Sequence, residues 1–364
     1  MASTNPTDSA LAEAAKAIAD ADAMVIGTGA GMGVDSGLGT FRGRNAGVWM
    51  PLKAMQQDFA EMSCPDVFEE DPRAAWAFWK FRHDAYTTSS PHEGYRILGE
   101  WGSNMRGGCF SITSNIDGHW VRTPGIGEAR TYEMHGALTH MQRMDGTGPI
   151  WPTDAAQYEI LKVPPWDLSP GEGVEILKRG NKRGPQWGSA AATKVGDDGA
   201  TIVSYDGEGV GGPVAAAGVR RPGGPDLCRV SSGCALPTDG TGAPSRPNVL
   251  MFGDGMFNGD RIDEQEQRYK RWLDGLPPTC RLVVVEVGAG TAVPTIRSSC
   301  SGLIGQWARA RPEGHATLVR INLDQSEVGS GDGERIAVGG MGALEALQKL
   351  DRLVRARRQG GGVA

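Results

Sequence analysis

Met24-Val25-Ile26-Gly27-Thr28-Gly29-Ala30-Gly31-Met32-Gly33 is the stretch that decides the fold class of this 364-residue chain. It runs from a short apolar segment, typical of a buried parallel strand, into a loop with glycine at every second position. Glycines let backbone N–H groups approach a ligand closely, and with a following helix N-terminus they can form a nest for phosphate. The stretch therefore predicts a nucleotide-binding loop, although a glycine-rich turn that binds nothing also fits it.

Two common nucleotide-binding motifs are absent from this loop. No register of its glycines completes G-x-G-x-x-G, and no Gly-Lys-Ser/Thr ending follows. The ordinary dehydrogenase loop and the phosphate loop of the common NTPases are therefore excluded. Arg42 lies in the glycine-punctuated segment 40–49, which can close over an anion, and we expect its guanidinium to pair with a phosphate.

The composition sets the broad class of the protein. The chain has 39% hydrophobic residues and a formal net charge of −6, and it has no run of 18 apolar residues. We expect a globular protein with one large domain and a smaller one, without direct nucleic-acid binding and without a membrane span. Residues 1–21 carry no secretory signal pattern, so the cytoplasm or the nucleus is the expected location.

Strand and helix patterns alternate along the chain. Apolar strand segments follow the first one at 109–113, 130–134, 247–254, 281–287 and 316–322. Helical patterns lie at 9–21, 52–100, 260–273, 295–309 and 341–355. This alternation predicts an α/β fold with a doubly wound parallel sheet.

Polar residues follow two of the predicted strands. Asn115 and Asp117 come after the segment 109–113, and His135 comes after the segment 130–134. Ligands of open α/β sheets bind beyond the carboxyl ends of the strands, so chemistry is expected there. His135 is well placed for a general base, although a lone histidine is often structural.

In these motifs the chain resembles the sirtuins, a family of NAD-dependent protein deacylases. The matching segments occur in the family's order: Gly29-Ala30-Gly31-Met32 with Phe41-Arg42-Gly43 beside GAG(I/M)SxxSGIPDFRG, Gly47-Val48-Trp49 beside GLW, Thr113-Ser114-Asn115-Ile116-Asp117-Gly118 beside TQNIDG, His135-Gly136 beside the HG of the catalytic histidine, Arg246-Pro247 with Phe252-Gly253-Asp254 beside RPxVVxFGE, and Ile321-Asn322 beside the late IN. One such motif is weak, but six in order are specific.

The resemblance implies a Rossmann-like NAD-binding domain and a second, smaller domain built from insertions. The first would comprise residues 1–50, 90–140 and 246–364. Residues 51–89 would form the helical part of the small domain, and the Gly- and Pro-rich insertion 141–245 would replace the family's zinc module. NAD and the acylated lysine of a protein or peptide would be the partners of this chain.

The resemblance also implies roles for single residues. His135 would be the general base on a ribose hydroxyl of NAD, with Asn115 as the second catalytic residue. The implied NAD-binding residues are Gly29, Ala30, Gly31, Phe41, Arg42, Ser114, Asn115, Ile116, Asp117, Gly288, Ala289, Gly290 and Asn322. The implied substrate-binding residues are Phe252, Gly253 and Asp254.

The sequence departs from the family pattern near the NAD pocket and in the zinc module. Gly33 stands for a serine, Gly39-Thr40 for Pro-Asp, and Ser114 for the glutamine of TQN. Where the family has two C-x2-C pairs, this chain has only Cys228 and Cys234. A tetrahedral structural site needs four ligands, so we expect no bound zinc and no other metal.

The predicted reaction is that of a protein lysine deacylase. The nicotinamide–ribose bond of NAD would be cleaved and the acyl group of a lysine transferred to ADP-ribose. The altered loop leaves two alternatives: an NAD glycohydrolase or ADP-ribosyltransferase that uses the same pocket, and a non-catalytic module that senses NAD or ADP-ribose.

Overall fold

The computed structural model describes residues 6–40, 59–163, 175–178, 190–195, 201–205, 217–220 and 229–360. The chain divides into two compact units. The core unit comprises Met1–Leu38, Ser89–Ala137 and Gly259–Ala364, and the inserted unit comprises Gly39–Thr88 and Leu138–Asn258. None of the helices in the described ranges is long and apolar enough to cross a membrane.

The elements follow in chain order. The strands are β1 (Ala23–Thr28), β2 (Cys109–Thr113), β3 (Thr131–Glu133), β4 (Gly136–Arg143), β5 (Trp151–Pro152), β6 (Glu175–Lys178), β7 (Ala190–Val195), β8 (Thr201–Tyr205), β9 (Ala217–Arg220), β10 (Ser245–Val249), β11 (Arg281–Val287), β12 (His315–Asn322) and β13 (Glu334–Gly339). The α-helices are α1 (Pro6–Asp20), α2 (Asp66–Glu70), α3 (Pro72–Thr88), α4 (Glu93–Ser103), α5 (Ala155–Glu159), α6 (Asp260–Asp274), α7 (Thr295–Ala310) and α8 (Ala343–Gly360). Short 3-10 helices lie at Ala30–Ser36, Glu61–Ser63 and Glu128–Arg130.

The core unit contains a six-stranded sheet in the order β3-β2-β1-β11-β12-β13. Each neighbouring pair is parallel. This order is that of the doubly wound dinucleotide-binding fold, and the strand order reverses between β1 and β11. The prediction of a Rossmann-like, doubly wound parallel sheet is therefore confirmed.

Helices cover both faces of this sheet because its central strands are apolar on both sides. Met24 and Ile26 of β1 face a core formed with α1, α4 and α8. Val25 faces the opposite core, which includes Ile296 and Cys300 of α7 and is bordered by α6. Full burial of each such side chain stabilises the fold by about 1.5–3 kcal/mol, so the two cores fix the sheet firmly.

The inserted unit has a three-stranded sheet in the order β10-β4-β5, and two further strand pairs, β6 with β9 and β7 with β8. Residues 245–258 belong to this unit, whereas the sequence placed 246–258 in the Rossmann-like domain. The apolar run at 247–254 was interpreted as a parallel strand of the main sheet. Instead, β10 ends at Val249 beside β4, a strand whose weak alternation was not recognised.

The side chain of Arg73 holds one loop of the inserted unit through hydrogen bonds. Arg73 of α3 donates to the carbonyl oxygens of Val230, Ser231, Ser232 and Cys234. Because a guanidinium offers several fixed donors, one side chain can hold four carbonyls of a loop that has no regular structure.

Candidate functional site

The loops after β1 and β11 meet at the point where the strand order reverses. The N–H of Gly31 donates to Gly288 O at 2.9 Å, and the N–H of Gly29 donates to Val287 O at 3.1 Å. A Cβ on Gly29 would lie 2.7 Å from Ala289 Cα, and a Cβ on Gly31 would lie 2.7 Å from Gly288 Cα. Such distances are too short for a side chain, so both glycines are required by the contact between the loops.

This contact engages amides that the sequence assigned to phosphate. The N–H groups of Gly29 and Gly31 donate to backbone carbonyls of the neighbouring loop. The chain then forms the 3-10 helix Ala30–Ser36, which ends at Gly37 with φ +83°. The loop thus lies at the predicted place. Its glycines, however, are already required by the contact with the neighbouring loop, whether or not a ligand binds.

Asn322 and Arg297 hold the loop after β11. Asn322 Nδ2 donates to Ala289 O at 2.9 Å, and its Oδ1 accepts from the N–H of Gln325 at 3.1 Å. Arg297 of α7 donates to Ala289 O at 3.2 Å and to Gln325 O at 2.7 Å. Asn322, which the resemblance assigned to NAD, therefore uses its Nδ2 to support Ala289 and its Oδ1 to hold the segment that follows β12.

The loop after β2 is joined to the glycine loop by hydrogen bonds. The N–H of Ser114 donates to Thr28 O at 3.1 Å, and the N–H of Asn115 donates to Thr113 Oγ1 at 3.0 Å. Asn115 Nδ2 donates to Gly29 O at 3.0 Å. Asn115 is consequently fixed beside the glycine loop, as the motif order predicts.

The carboxylate of Asp117 holds the rest of this loop. Asp117 Oδ1 accepts the N–H of His119 at 2.9 Å, and Ile116 between the two polar residues is buried. His119 was not singled out by the sequence, yet its side chain is completely buried and its Nε2 lies 3.0 Å from Ser89 Oγ. Burial, reinforced by the charge of Arg122, lowers the pKa of His119 to about 3, so its ring is neutral.

His135 lies two residues after the end of β3 and is half-buried. Its Nε2 is 3.2 Å from Thr295 Oγ1. Burial lowers the pKa of His135, and the nearby backbone of Ser114 opposes this only in part. A histidine with a lowered pKa is neutral at pH 7, which is the form that a general base requires.

Two residues of α6 hold β3, the edge strand that precedes His135. Arg261 Nη2 donates to Glu133 Oε2 at 2.6 Å, and Gln265 Oε1 accepts the N–H of Glu133 at 2.8 Å. Glu133 and Gln265 are buried, and burial raises the pKa of Glu133 against the opposing effect of Arg261. The outer edge of β3 is therefore held by side chains that lie 128 and 132 residues further along the chain.

The predicted substrate-binding residues lie in the inserted unit and differ from one another in exposure. The side chains of Arg246 and Asp254 are fully buried and form a two-point ion pair at 2.8 Å. Phe252 is half-buried and its N–H donates to Ser63 O, whereas Gly253 is exposed with φ +69°. Asp254 therefore shapes its loop from inside, and only Phe252 and Gly253 present surface.

Some predictions fall outside the described residues. Phe41, Arg42 and the segment Gly47–Trp49 are among them, as is Cys228. Within the residues that the structure describes, no group of three or more His, Cys, Asp or Glu could hold a metal ion. Sequence reasoning missed Thr295, Gln265 and Arg261, because these residues belong to helices that carry no motif.

Comparison with known proteins agrees with this arrangement. Residues 29–163 match the model of the Sir2 family. An NAD-dependent protein deacylase of Deinococcus radiodurans is 31% identical over 162 residues, which is 44% of this chain and 61% of the relative. An NAD-dependent protein deacylase of Thermococcus kodakarensis is 34% identical over 128 residues, 35% of this chain and 46% of the relative. The chain thus spans about half to three fifths of the length of these curated relatives.

Solved structures support the same fold. A Sir2 homologue in complex with NAD matches with a TM-score of 0.53 at 18% identity, covering 95% of this chain and 94% of that one. A second Sir2 enzyme structure matches with a TM-score of 0.54 at 17% identity, covering 96% and 99%. Residues 29–163 include the glycine loop, Asn115, Asp117 and His135, and this segment is similar to the Sir2 family.

Proposed function

We propose that this chain is an NAD-dependent protein lysine deacylase. It would cleave the nicotinamide–ribose bond of NAD and transfer the acyl group of a lysine to ADP-ribose. The observation that carries the proposal is the environment of His135, whose burial lowers its pKa and keeps the ring neutral, and whose Nε2 lies 3.2 Å from Thr295 Oγ1. The curated relatives, which are NAD-dependent protein deacylases, support the same reaction.

The donor set at this edge of the sheet fits NAD by its chemistry. Asn115 and Asp117 follow β2, and the glycine loop lies beside them at the reversal of strand order. In doubly wound folds this crevice is where dinucleotides bind. We assign Ala30 and Gly288–Gly290 to the pyrophosphate side, and Ser114 to Asp117 to the ribose and nicotinamide side.

NAD supplies the leaving group, nicotinamide, and a ribose carbon that the acyl oxygen of the lysine can attack. The part of His135 is to accept a proton from a ribose hydroxyl at a ring nitrogen, which raises the nucleophilicity of that oxygen. Asn115 holds the loop against Gly29 and thereby orients Asp117. Phe41 and Arg42 are proposed to cover the ribose and pair with the pyrophosphate.

The acylated peptide is assigned to the loop 252–254 of the inserted unit. Phe252 and Gly253 would contact the peptide, because they present surface. Asp254 would act through the loop conformation, because its carboxylate is internal and bound to Arg246.

The decisive experiment measures products with and without an acylated peptide. We expect nicotinamide, deacetylated peptide and acetylated ADP-ribose, identified by mass spectrometry, when NAD and an acetyl-lysine peptide are both supplied. Free ADP-ribose formed at the same rate without peptide would instead identify an NAD glycohydrolase. Tight NAD binding by calorimetry with no nicotinamide release over hours would identify a sensing module.

Replacement of the proposed base tests the site itself. His135→Ala should lower the rate of deacylation by at least about 100-fold, the usual contribution of a general base, while NAD binding is retained. His315→Ala is the matched control, because His315 is exposed at the start of β12 and its ring lies beside Glu334, away from the proposed site residues. Equal turnover by both variants would remove His135 from catalysis.

A further inference from the structure

Thr113, the last residue of β2, holds the backbone of a proposed catalytic residue. The N–H of Asn115 donates to Thr113 Oγ1 at 3.0 Å. The motif includes this threonine, but the roles implied by the resemblance fall on the residues after it. We propose that Thr113 is a positioning residue whose hydroxyl fixes Asn115 for the deacylation. This inference rests on the proposed function, because it assigns Asn115 a part in that reaction.

Thr113 Oγ1 belongs to a chain of hydrogen bonds that begins at an indole. Trp120 Nε1 donates to Thr28 Oγ1 at 2.8 Å, and the hydroxyl oxygens of Thr28 and Thr113 are 2.9 Å apart. Thr113 Oγ1 also lies 3.1 Å from Thr28 O. The three residues are exposed by 2% or less. Because water does not compete at such a depth, each of these bonds is stronger than it would be at the surface.

The direction of each bond in this chain follows from its two ends. An indole N–H can only donate, and a backbone carbonyl can only accept. The Thr113 hydrogen therefore goes to Thr28 O, and the Thr28 hydrogen goes to Thr113 Oγ1. Both lone pairs of Thr113 Oγ1 are then occupied, one by Thr28 and the other by the N–H of Asn115. A hydroxyl with its hydrogen and both lone pairs engaged has one orientation, so the Asn115 N–H has one position.

The same hydrogen bonds attach the polar loop to β1 at both of its ends. Thr28 and Thr113 are the last pair in the register of β1 and β2, and the N–H of Ser114 donates to Thr28 O at 3.1 Å. At the other end, Trp120 is bound to the Thr28 hydroxyl. The segment 115–119 therefore lies between two attachments to one residue. Because these attachments are buried, a ligand that contacts the loop leaves them in place, as a positioning contact requires.

Hydrogen exchange tests the contact without any activity. Thr113→Val keeps the shape of the side chain but removes the acceptor of the Asn115 N–H. Exchange of this N–H with deuterium, followed by NMR, should become at least about tenfold faster. Thr113→Ser should show the native rate, because serine keeps the hydroxyl. Thr317→Val is the matched control, since it removes a buried hydroxyl that donates to Glu334 on the other side of the sheet. A native exchange rate of Asn115 in Thr113→Val would overturn the proposal.

Kinetics then tests the consequence for the proposed reaction. Thr113→Val should lower kcat for nicotinamide release about tenfold, because a misplaced Asn115 no longer meets the ribose in the required geometry. KM for NAD should stay within about twofold of the native value, since the glycine loop assigned to the pyrophosphate is unchanged. Thr113→Ser and Thr317→Val should retain both constants. A valine variant with native kcat, or a serine variant as slow as valine, would contradict the positioning role.

Thr28→Val is a second variant that acts one step further along the chain. Thr113 Oγ1 would lose one of its two donors but keep its bonds to the carbonyl of residue 28 and to Asn115. The kcat for nicotinamide release should therefore fall only about threefold. A larger loss than in Thr113→Val would contradict the order of the chain. If the native chain releases no nicotinamide, the proposed function fails, while the exchange rates still decide whether Thr113 holds Asn115.

Discussion

The loops at the carboxyl edge of the main sheet are held in two different ways. After β1 and β11, Gly29 and Gly31 contact the segment Gly288–Ala289 through backbone atoms alone. After β2 and β3, side chains add to the backbone contacts, with the Asn115 amide bonded to Gly29 O and the His135 ring to Thr295. One pair of loops depends on the absence of side chains and the other on their presence.

This difference changes which residues indicate function. The glycines of the first pair would be needed in a fold of this kind even without a ligand, since any Cβ there meets backbone. Packing does not require the half-buried His135 with its lowered pKa, and it does not require Asn115. The polar loops after β2 and β3 therefore carry the functional inference, and the glycine loops carry the geometry that lets them meet.

The largest effect on stability is expected where the two glycine loops touch. Gly288 has φ +64°, and a Cβ there would lie 2.4 Å from Gly31 C and from Met32 N. Backbone strain and overpacking together should lower the free energy of unfolding of Gly288→Ala by about 4 kcal/mol, measured by urea denaturation.

The chain offers a control with the same chemical change. Gly302→Ala lies in α7, and a Cβ there meets nothing within 4 Å. This variant should be as stable as the native chain or more stable by up to about 1 kcal/mol, because alanine favours a helix. Equal stability of the two alanine variants would mean that the loops do not meet through their backbones.

A smaller effect is expected where side chains hold a loop. Gln265→Leu keeps the size of a fully buried side chain but removes the acceptor for the N–H of Glu133. A buried donor left without a partner should cost about 1–3 kcal/mol of unfolding free energy. Because Glu133 precedes His135 by two residues, the proposed deacylation should also slow in this variant.

Gln306→Leu is the matched control for the α6 residue. Gln306 is exposed on α7, so its replacement should change the unfolding free energy by no more than about 0.5 kcal/mol. Native stability and rate in Gln265→Leu would show that β3 holds its place without the α6 side chains.

The sequence was most informative where both faces of a strand are buried. The segments 109–113 and 281–287 were predicted with the bounds of β2 and β11, because every residue of the first and all but Arg281 of the second are buried. The edge strand β13 was not predicted, because exposed residues interrupt its apolar positions. The strand β4 was missed for the same reason, and the domain boundary near 246 was misplaced with it.

The candidate site divides in a similar way. Asn115 and His135 could be located from the sequence because each directly follows a strand with a clear apolar pattern. Thr295 and Gln265 could not, because they reach the site from helices 160 and 132 residues away from their partners. Such long-range contacts are set by the packing of α6 and α7, which leaves no local motif. The internal ion pair of Asp254 could not be predicted either, since nothing in the sequence indicates that Arg246 is its partner.

The smallest effect on stability is expected at Gly33. It lies two residues after Gly31, a position where a side chain has no space. A Cβ on Gly33 would meet Leu38 at 3.4 Å, an ordinary contact, and its φ is not in the left-handed region. Gly33→Ser should therefore change the unfolding free energy by less than about 1 kcal/mol, in contrast to Gly288→Ala. The serine would restore the hydroxyl that the family pattern has here. One added hydrogen bond to NAD should lower its KM several-fold, whereas Gly33→Ala should leave KM unchanged. A loss of several kcal/mol in either variant would show that the backbone contact between the glycine loops extends as far as Gly33.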